Sequence, residues 1–261
     1  MNRILADGQA ISNAISSLSA SGGVCLIPSS KTWLLSKKTS SNVLVLDSSF
    51  NPPTRAHIGL IHAATRIQGV DYDGLLLMLS TANVDKELKG GSVQDRISMM
   101  EICAEKISKN VAVVLTDKAR FIDKARAIRE LPGFKASTLS FLLGMDTVTR
   151  FFDIKYYGTR DAMMENFRQF FASSLIVAAE RADSPSLAEF LTQTPDARLF
   201  QHRILLCPKS ENEELESVSS TQCRRLFAEA ENNADNFKRL ERLTFPEIIQ
   251  YCVHHKIFRN V

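Results

Sequence analysis

From residue 43 onward the chain alternates two patterns. Short apolar runs rich in Val, Ile and Leu stand at 43–46, 75–79, 111–115, 139–143, 175–179 and 204–207. Unbroken runs of this length, without polar alternation, read as strands buried on both faces. Between most of them apolar residues return every three or four positions, over 56–67, 93–107, 121–131, 147–152 with 161–170, and 186–191. That spacing predicts helices with one buried face. Strands and helices in strict alternation predict an α/β domain built on a doubly wound parallel sheet. Two further helical stretches, 221–231 and 246–255, follow the last strand and predict a C-terminal helical segment. The acidic run from Glu211 to Glu216 reads as a solvated loop.

The first 40 residues are less regular. Ile4, Leu5, Ile11, Ile15 and Leu18 recur at helical spacing, and Gly22-Gly23 then breaks the pattern. Two short apolar pieces at 24–27 and 33–35 lead into a polar, basic linker at 36–42. The expected organisation is an N-terminal extension, residues 1–41, packed on a main domain of residues 42–261. In sheets of the expected kind, ligands bind beyond the carboxyl ends of the strands, where the strand order reverses. The loops after the strands are therefore where chemistry is to be sought.

Composition narrows the classes. The chain has 261 residues, 44% of them hydrophobic and 23% charged, enough to bury a core and too ordinary for wholesale disorder. No apolar run approaches the ~20 residues of a membrane helix, so no membrane partner is expected. A formal net charge of +3 suits a small anionic ligand and is too weak to argue for nucleic acid. Five cysteines at 25, 103, 207, 223 and 252 show no ligand spacing, and read as free, mostly buried thiols in a reducing compartment. The N-terminus lacks the layout of a secretory or transit signal, so the cytoplasm, with exchange to the nucleus, is the expected location. His254 and His255 are adjacent and cannot share a helix face, and no protein metal site is expected. There is no G-x-x-x-x-G-K-[ST], no G-x-G-x-x-G and no G-x-S-x-G.

Two stretches carry phosphate chemistry. After the first strand of the regular region comes Asp47-Ser48-Ser49-Phe50-Asn51-Pro52-Pro53-Thr54-Arg55-Ala56-His57. Its prolines fix a turn, Thr54 can cap the next helix, and N–H groups at a helix start suit phosphate. His57 stands three residues after Thr54, so both can face one ligand. Near the C-terminus, Val218-Ser219-Ser220-Thr221-Gln222-Cys223-Arg224-Arg225 opens another helix. Its hydroxyls and N–H groups make an anion cradle, to which Arg224 can add a charged fork. Taken singly, each stretch could also be an ordinary helix cap.

Together, and in this order, they resemble the T/H-x-x-H nucleotidyltransferases, and among them the nicotinamide mononucleotide adenylyltransferase family. The first string is similar to G-S-F-N-P-x-T-x-x-H, with Ser48 where the family has glycine. The second is similar to I-S-S-T-x-I/V-R, with Val218 for the isoleucine. Further stretches resemble the same family: Asn83-Val84-Asp85-Lys86, Asp95-Arg96 with Met99, Gly144-Met145-Asp146, Glu180-Arg181, and the closing segment from Phe245 to Phe258. The resemblance covers roughly residues 42–258. Where the family carries a tryptophan that stacks on the nicotinamide ring, this chain has Tyr156 and Tyr157, and its one tryptophan, Trp33, lies elsewhere.

The resemblance implies a Rossmann-like nucleotidyltransferase fold and adenylyl transfer from ATP to nicotinamide mononucleotide, giving NAD and pyrophosphate by in-line attack without a covalent intermediate. It implies that His57, Thr54 and Lys86 act at the phosphates. ATP would be held by Ser48, Ser49, Phe50, Asn51, His57, Gly144, Asp146, Ser219, Ser220, Thr221 and Arg224. The second nucleotide would meet Ser49, Phe50, Asp146, Tyr156, Tyr157 and Arg181. Mg2+ would be carried by the ATP phosphates, and a homo-oligomer is compatible with the family. The serine in place of glycine and the absent tryptophan keep a second expectation open: a protein of this fold that binds or slowly hydrolyses ATP, has lost NAD synthesis, and serves as a regulatory or interaction module.

Overall fold

The computed structural model describes residues 8–28, 41–81, 90–107, 110–181, 184–229 and 234–259. The chain enters through helix α1 (Gly8–Ser21), which buries Ile11, Ala14 and Leu18 at helical spacing. Gly22, at φ +67, ends it by closing its N–H on the Leu18 carbonyl at 2.8 Å. Strand β1 (Val24–Leu26) follows, and then the six strands expected from the apolar runs: β2 (Asn42–Asp47), β3 (Gly74–Ser80), β4 (Val111–Thr116), β5 (Thr138–Gly144), β6 (Ser174–Ala179) and β7 (Ile204–Leu206). Ile4, Leu5 and the apolar piece at 33–35 lie outside the described residues.

The helices fall between the strands. They are α2 (Arg55–Thr65), α3 (Val93–Glu105), α4 (Phe121–Glu130), α5 (Met145–Phe151), α6 (Arg160–Phe171), α7 (Leu187–Gln193) and α8 (Pro195–Arg198). After β7 come α9 (Ser220–Glu229), α10 (Ala234–Leu243) and α11 (Pro246–His254). Two of these were not expected from the sequence: α8 is a single turn, and α10 carries Phe237, Leu240 and Leu243 at helical spacing within an otherwise charged, polar stretch. The acidic run expected as a loop contains a 3-10 turn (Glu213–Ser217). A Cβ added at Gly59 of α2 would stand 2.9 Å from Leu215, so this turn docks on that helix.

The sheet order is β1-β4-β3-β2-β5-β6-β7, parallel throughout except that β1 runs antiparallel to β4. β1 thus covers the β4 edge, and residues 8–28 contribute a strand to the sheet of the main domain. Strand order reverses between β2 and β5, which puts the switch-point crevice beside the loops that follow them. Alternate residues of each strand enter two cores. Val43, Val45, Met78 and Phe141 pack with Ile128 of α4 and Phe151, Phe167 and Phe170 of α5 and α6. Leu44, Leu46, Leu75 and Leu77 pack with α1, Ile61 of α2 and Ile97 and Met100 of α3. Two covered faces explain why the strands read as unbroken apolar runs. A third cluster joins Met99 and Cys103 of α3 to Cys223, Leu226, Leu240, Ile248 and Cys252 of the C-terminal helices. Among the described residues no helix is long and apolar enough to cross a membrane.

The thiols are free, and burial pushes those of Cys103 and Cys223 up to about 12 and that of Cys207 to about 11. Thiols so held are packing groups and not nucleophiles.

One charge pair lies inside the first core. The Asp47 carboxylate at the end of β2 pairs with Lys124 of α4, their side chains 9% and 4% exposed. The Lys124 ammonium also stands 4.7 Å from the Phe121 ring centroid. Desolvation raises the Asp47 pKa above the ordinary carboxylate value, against the pull of Lys124. Removing one partner of such a pair leaves the other charge buried and alone. Lys124→Ala is therefore expected to cost about 3–5 kcal/mol in urea unfolding, and Asp47→Leu with Lys124→Met to recover most of that loss. A single variant as stable as wild type would show that water reaches the pair.

Candidate active site

The loop after β2 is held from several sides. Phe50 takes a left-handed φ of +44 and is wholly buried, and the Asn51–Pro52 bond is cis. Three successive carbonyls receive side-chain donors from the C-terminal segment. Arg224 Nη1 donates to the Asn51 carbonyl at 2.7 Å, Ser220 Oγ to that of Pro52 at 2.8 Å, and Thr244 Oγ1 to that of Pro53 at 2.7 Å. The Asn51 side chain accepts the Gly91 N–H at 3.0 Å. Gly90 has φ +105, and a Cβ there would come within 2.8 Å of both the Asn51 amide and the Phe258 ring, so only glycine fits. The second phosphate-type motif therefore grips the first, although they lie far apart in sequence.

His57 sits in the first turn of α2 and its ring faces back along the loop. Nδ1 accepts the Thr54 N–H at 3.0 Å and lies 2.8 Å from Thr54 Oγ1. Nε2 stands 3.1 Å from Ser48 Oγ. The Phe50 ring packs 5.1 Å from the imidazole. Burial lowers the His57 pKa to about 4, and the charge of Arg181 lowers it further. The ring is therefore neutral at physiological pH. Because Nδ1 is an acceptor, the ring proton resides on Nε2.

Guanidinium groups lie at this loop and at the Gly90-Gly91 turn bound to it. Arg96, 8% exposed, donates to the Gly91 carbonyl at 2.8 Å. Burial lowers its pKa, and the neighbouring Arg224 guanidinium adds to the effect while Asp95 opposes it. Two guanidiniums that repel each other beside a helix start make a place for an anion. Arg96, Gly90 and Gly91 join the site through tertiary contacts. The Arg96 stretch shows a resemblance in sequence, but nothing local in the Gly90-Gly91 pair points to Asn51.

The remaining expected residues are distributed as follows. Ser49 is exposed on the loop. Ser219 caps α9: its Oγ accepts the Gln222 N–H at 3.3 Å while its own N–H donates to Gln222 Oε1 at 2.8 Å. The Thr221 hydroxyl accepts from Arg224 Nη2 at 3.0 Å. Gly144 ends β5, and Asp146 in the next turn is exposed and paired with Arg150 at 2.9 Å. Tyr156 is 44% exposed. Tyr157 packs 5.2 Å from the Phe167 ring, and its hydroxyl donates to the Phe151 carbonyl at 2.7 Å. Of the two tyrosines, Tyr156 has the more exposed ring, with the Lys155 ammonium 4.9 Å from its centroid. Arg181 is exposed after β6 and borders a cavity of about 170 Å3, shared with Ala56, Leu60, Glu180, Cys207 and Lys209. Lys86 lies outside the described residues.

Comparison with known proteins follows the same lines. A family model described as cytidylyltransferase-like matches residues 45–226, a span that includes both motifs. A Schizosaccharomyces pombe (strain 972 / ATCC 24843) protein, provisionally named nicotinamide mononucleotide adenylyltransferase, is 36% identical over 140 residues. The match spans 53% of this chain and 53% of that relative, about half the length of each. The Plasmodium falciparum nicotinic acid mononucleotide adenylyltransferase complexed with NaAD superposes with a TM-score of 0.58 at 18% identity, over 84% of this chain and 97% of that one. The Plasmodium protein complexed with APC gives a TM-score of 0.58 at 16% identity, with the same coverage. The family resemblance and the Rossmann-like doubly wound fold are both borne out.

The lowered pKa of His57 links the site to stability. The folded value is about 4 against an ordinary 6.5, so its contribution is complete above pH 6.5 and is lost as pH falls through 4. Wild type is expected to lose up to about 3 kcal/mol more than His57→Asn between neutral pH and pH 4. Urea unfolding of both proteins across that range checks it, and parallel pH profiles would refute it.

Proposed function

The chain belongs to the cytidylyltransferase-like family, and on that premise we propose that it transfers the adenylyl group of ATP to nicotinamide mononucleotide, giving NAD and pyrophosphate. The observation that carries the reading is the fixed tautomer of His57, a neutral ring whose Nε2–H meets Ser48 Oγ in a slot at the start of α2, on a loop whose Asn51 carbonyl Arg224 holds. Such a slot suits a phosphate that gains charge during reaction.

The 5′-phosphate of the mononucleotide attacks the α-phosphorus of ATP in line. The bond from that phosphorus to the bridging oxygen breaks, and pyrophosphate leaves with the electron pair. A phosphate monoester is already nucleophilic, so no side chain needs to attack. His57 and Thr54, with the N–H groups opening α2, take the developing charge on the α-phosphate. Ser219, Ser220, Thr221 and Arg224 at the start of α9, with Arg96, take the departing pyrophosphate. Arg224 has donors left after those spent on Asn51 and Thr221. Gly144, Asp146, Tyr156 and Arg181 are assigned to the nucleotides on the β5 and β6 side of the crevice, and Lys86 to a phosphate.

Mg2+ belongs to the substrate, as MgATP. Among the described residues no group of three or more His, Cys, Asp or Glu could hold a metal ion, and the Asp47 and Asp146 carboxylates are paired with Lys124 and Arg150. Phosphate oxygens and water are the usual ligands of this ion. The acceptor is assigned from the name of the fission yeast relative. The Plasmodium structures are named for nicotinic acid mononucleotide instead, so that acceptor belongs in the same assay.

One observation favours a second reading, an ATP-binding or slowly ATP-hydrolysing regulatory protein without NAD synthesis. Ser48 Oγ already occupies the His57 Nε2–H at 3.1 Å. Purified protein given ATP, Mg2+ and nicotinamide mononucleotide is expected to form NAD, detected by chromatography with pyrophosphate release. His57→Ala is expected to lower the rate about 10²–10³-fold, as for loss of one aimed donor, with the circular dichroism unchanged. Steady ATP hydrolysis with no dinucleotide from either acceptor would sink the first reading and leave the second.

A further inference from the structure

Ser48 follows the last residue of the central strand β2, half-buried, with its N–H held by the Met78 carbonyl at 3.2 Å. Its hydroxyl stands 3.1 Å from His57 Nε2. The far side of the ring sets the direction of that bond. The Nδ1 lone pair is used by the Thr54 N–H at 3.0 Å, so the proton is on Nε2 and Ser48 Oγ is the acceptor. Two consequences follow. The imidazole is not a base toward this hydroxyl, which rules out a serine–histidine nucleophile of the acyl-transfer kind. The hydroxyl's own hydrogen is also unspent on His57, and among the described residues it has no other acceptor.

A hydroxyl that accepts a strong hydrogen bond becomes a better donor. A phosphate oxygen approaching Nε2–H directly would first have to break the contact with Ser48. We propose that Ser48 is itself the group that touches the triphosphate of ATP, donating its O–H to a phosphate oxygen while His57 Nε2–H holds and polarises it. No proton is transferred and no bond to the protein forms; hydrogen bonds alone pass from imidazole to hydroxyl to phosphate, so the phosphate charge assigned to His57 reaches the ring through Ser48. The surrounding charge agrees, since the Arg96 and Arg224 guanidiniums held at the same loop repel each other, and a bound anion would relieve that interaction. This inference deepens the reading of the loop as an ATP site and rests on it. It also makes position 48, which carries glycine in the motif the loop resembles, a determinant of how phosphate is bound in this chain.

Ser48→Ala and Ser48→Gly test it on the full chain. Three readouts apply: calorimetric affinity for a non-hydrolysable ATP analogue with Mg2+, turnover, and histidine 15N NMR. The alanine variant is expected to bind the analogue at least about tenfold more weakly, as for loss of a hydrogen bond to a charged group. Its Nε2 proton is expected to exchange faster with solvent. The glycine variant is expected to recover part of the affinity, because the imidazole can then donate directly, and turnover should rank wild type, glycine, alanine. Alanine-variant binding and turnover within about twofold of wild type would make the hydroxyl a bystander and overturn the proposal. Both variants exceeding wild type would make it a plug on the histidine, and an NMR proton on Nδ1 would reverse the assumed direction; either result overturns it. Wild type that binds the analogue but makes no dinucleotide counts against NAD synthesis, and the binding series still decides the role of Ser48. Wild type that does not bind the analogue overturns both.

Discussion

Three carbonyls, those of Asn51, Pro52 and Pro53, tie the C-terminal helices to the centre of the sheet. The loop that bears them is buried and contains two prolines, so it cannot satisfy its polar groups as a helix or a ladder would. Donors must come from elsewhere, and they come from Arg224, Ser220 and Thr244. One of these is charged, and such bonds are shorter and stronger than neutral ones. The same loop sets the direction of His57 through Thr54. The geometry of the candidate site therefore depends on α9 and on the segment after α10, and the C-terminal helices are part of that site. Their own anchoring in the cluster with Met99 and Cys103 supplies the rigidity that the hydrogen bonds need.

Electrostatics in the crevice depends on placement more than on total charge. The net charge is only +3, yet Arg96, Arg181 and Arg224 act on one another or on His57 within the crevice. A few cations in a partly dry space attract a compact anion strongly, and a uniform surface charge would not. The histidine among them is kept neutral by burial and by its cationic neighbour. It presents a directed N–H, which suits the proposed reaction, whose nucleophile and leaving group are both phosphates. The nearby Asp47–Lys124 pair places an acid and a base in the first core at the end of the strand that leads into the loop.

Much of the fold was legible from the chain alone, because it rests on local rules. Each strand buried on two faces leaves an unbroken apolar run, and each covering helix leaves a 3.6-residue period. The two phosphate-type motifs were legible because helix starts next to Ser, Thr and Pro have a recognisable chemistry. Helix α10 escaped although Phe237, Leu240 and Leu243 stand at helical spacing, because it follows the last strand as a short, mostly charged and polar stretch outside the alternation of strands and helices. Strand β1 escaped as a member of the sheet because its three residues acquire meaning only against the β4 edge.

The sequence by itself determined the order of strands and helices and the family these motifs belong to. It could not decide how the named residues use their hydrogen bonds. Ser220 and Arg224 looked like direct phosphate ligands, and in the fold they first support the loop. Tyr156 and Tyr157 were equivalent in the chain, and packing against Phe167 left Tyr156 with the more exposed ring. Arg96, Gly90 and Gly91 joined the site only when α3 was laid beside the loop. The tertiary structure alone placed Ser48 Oγ on the His57 ring. The physical reason is common to all four. Periodicity and turn chemistry act between neighbours in sequence, whereas a donor's partner is set by which segments the folded sheet brings within about 3 Å.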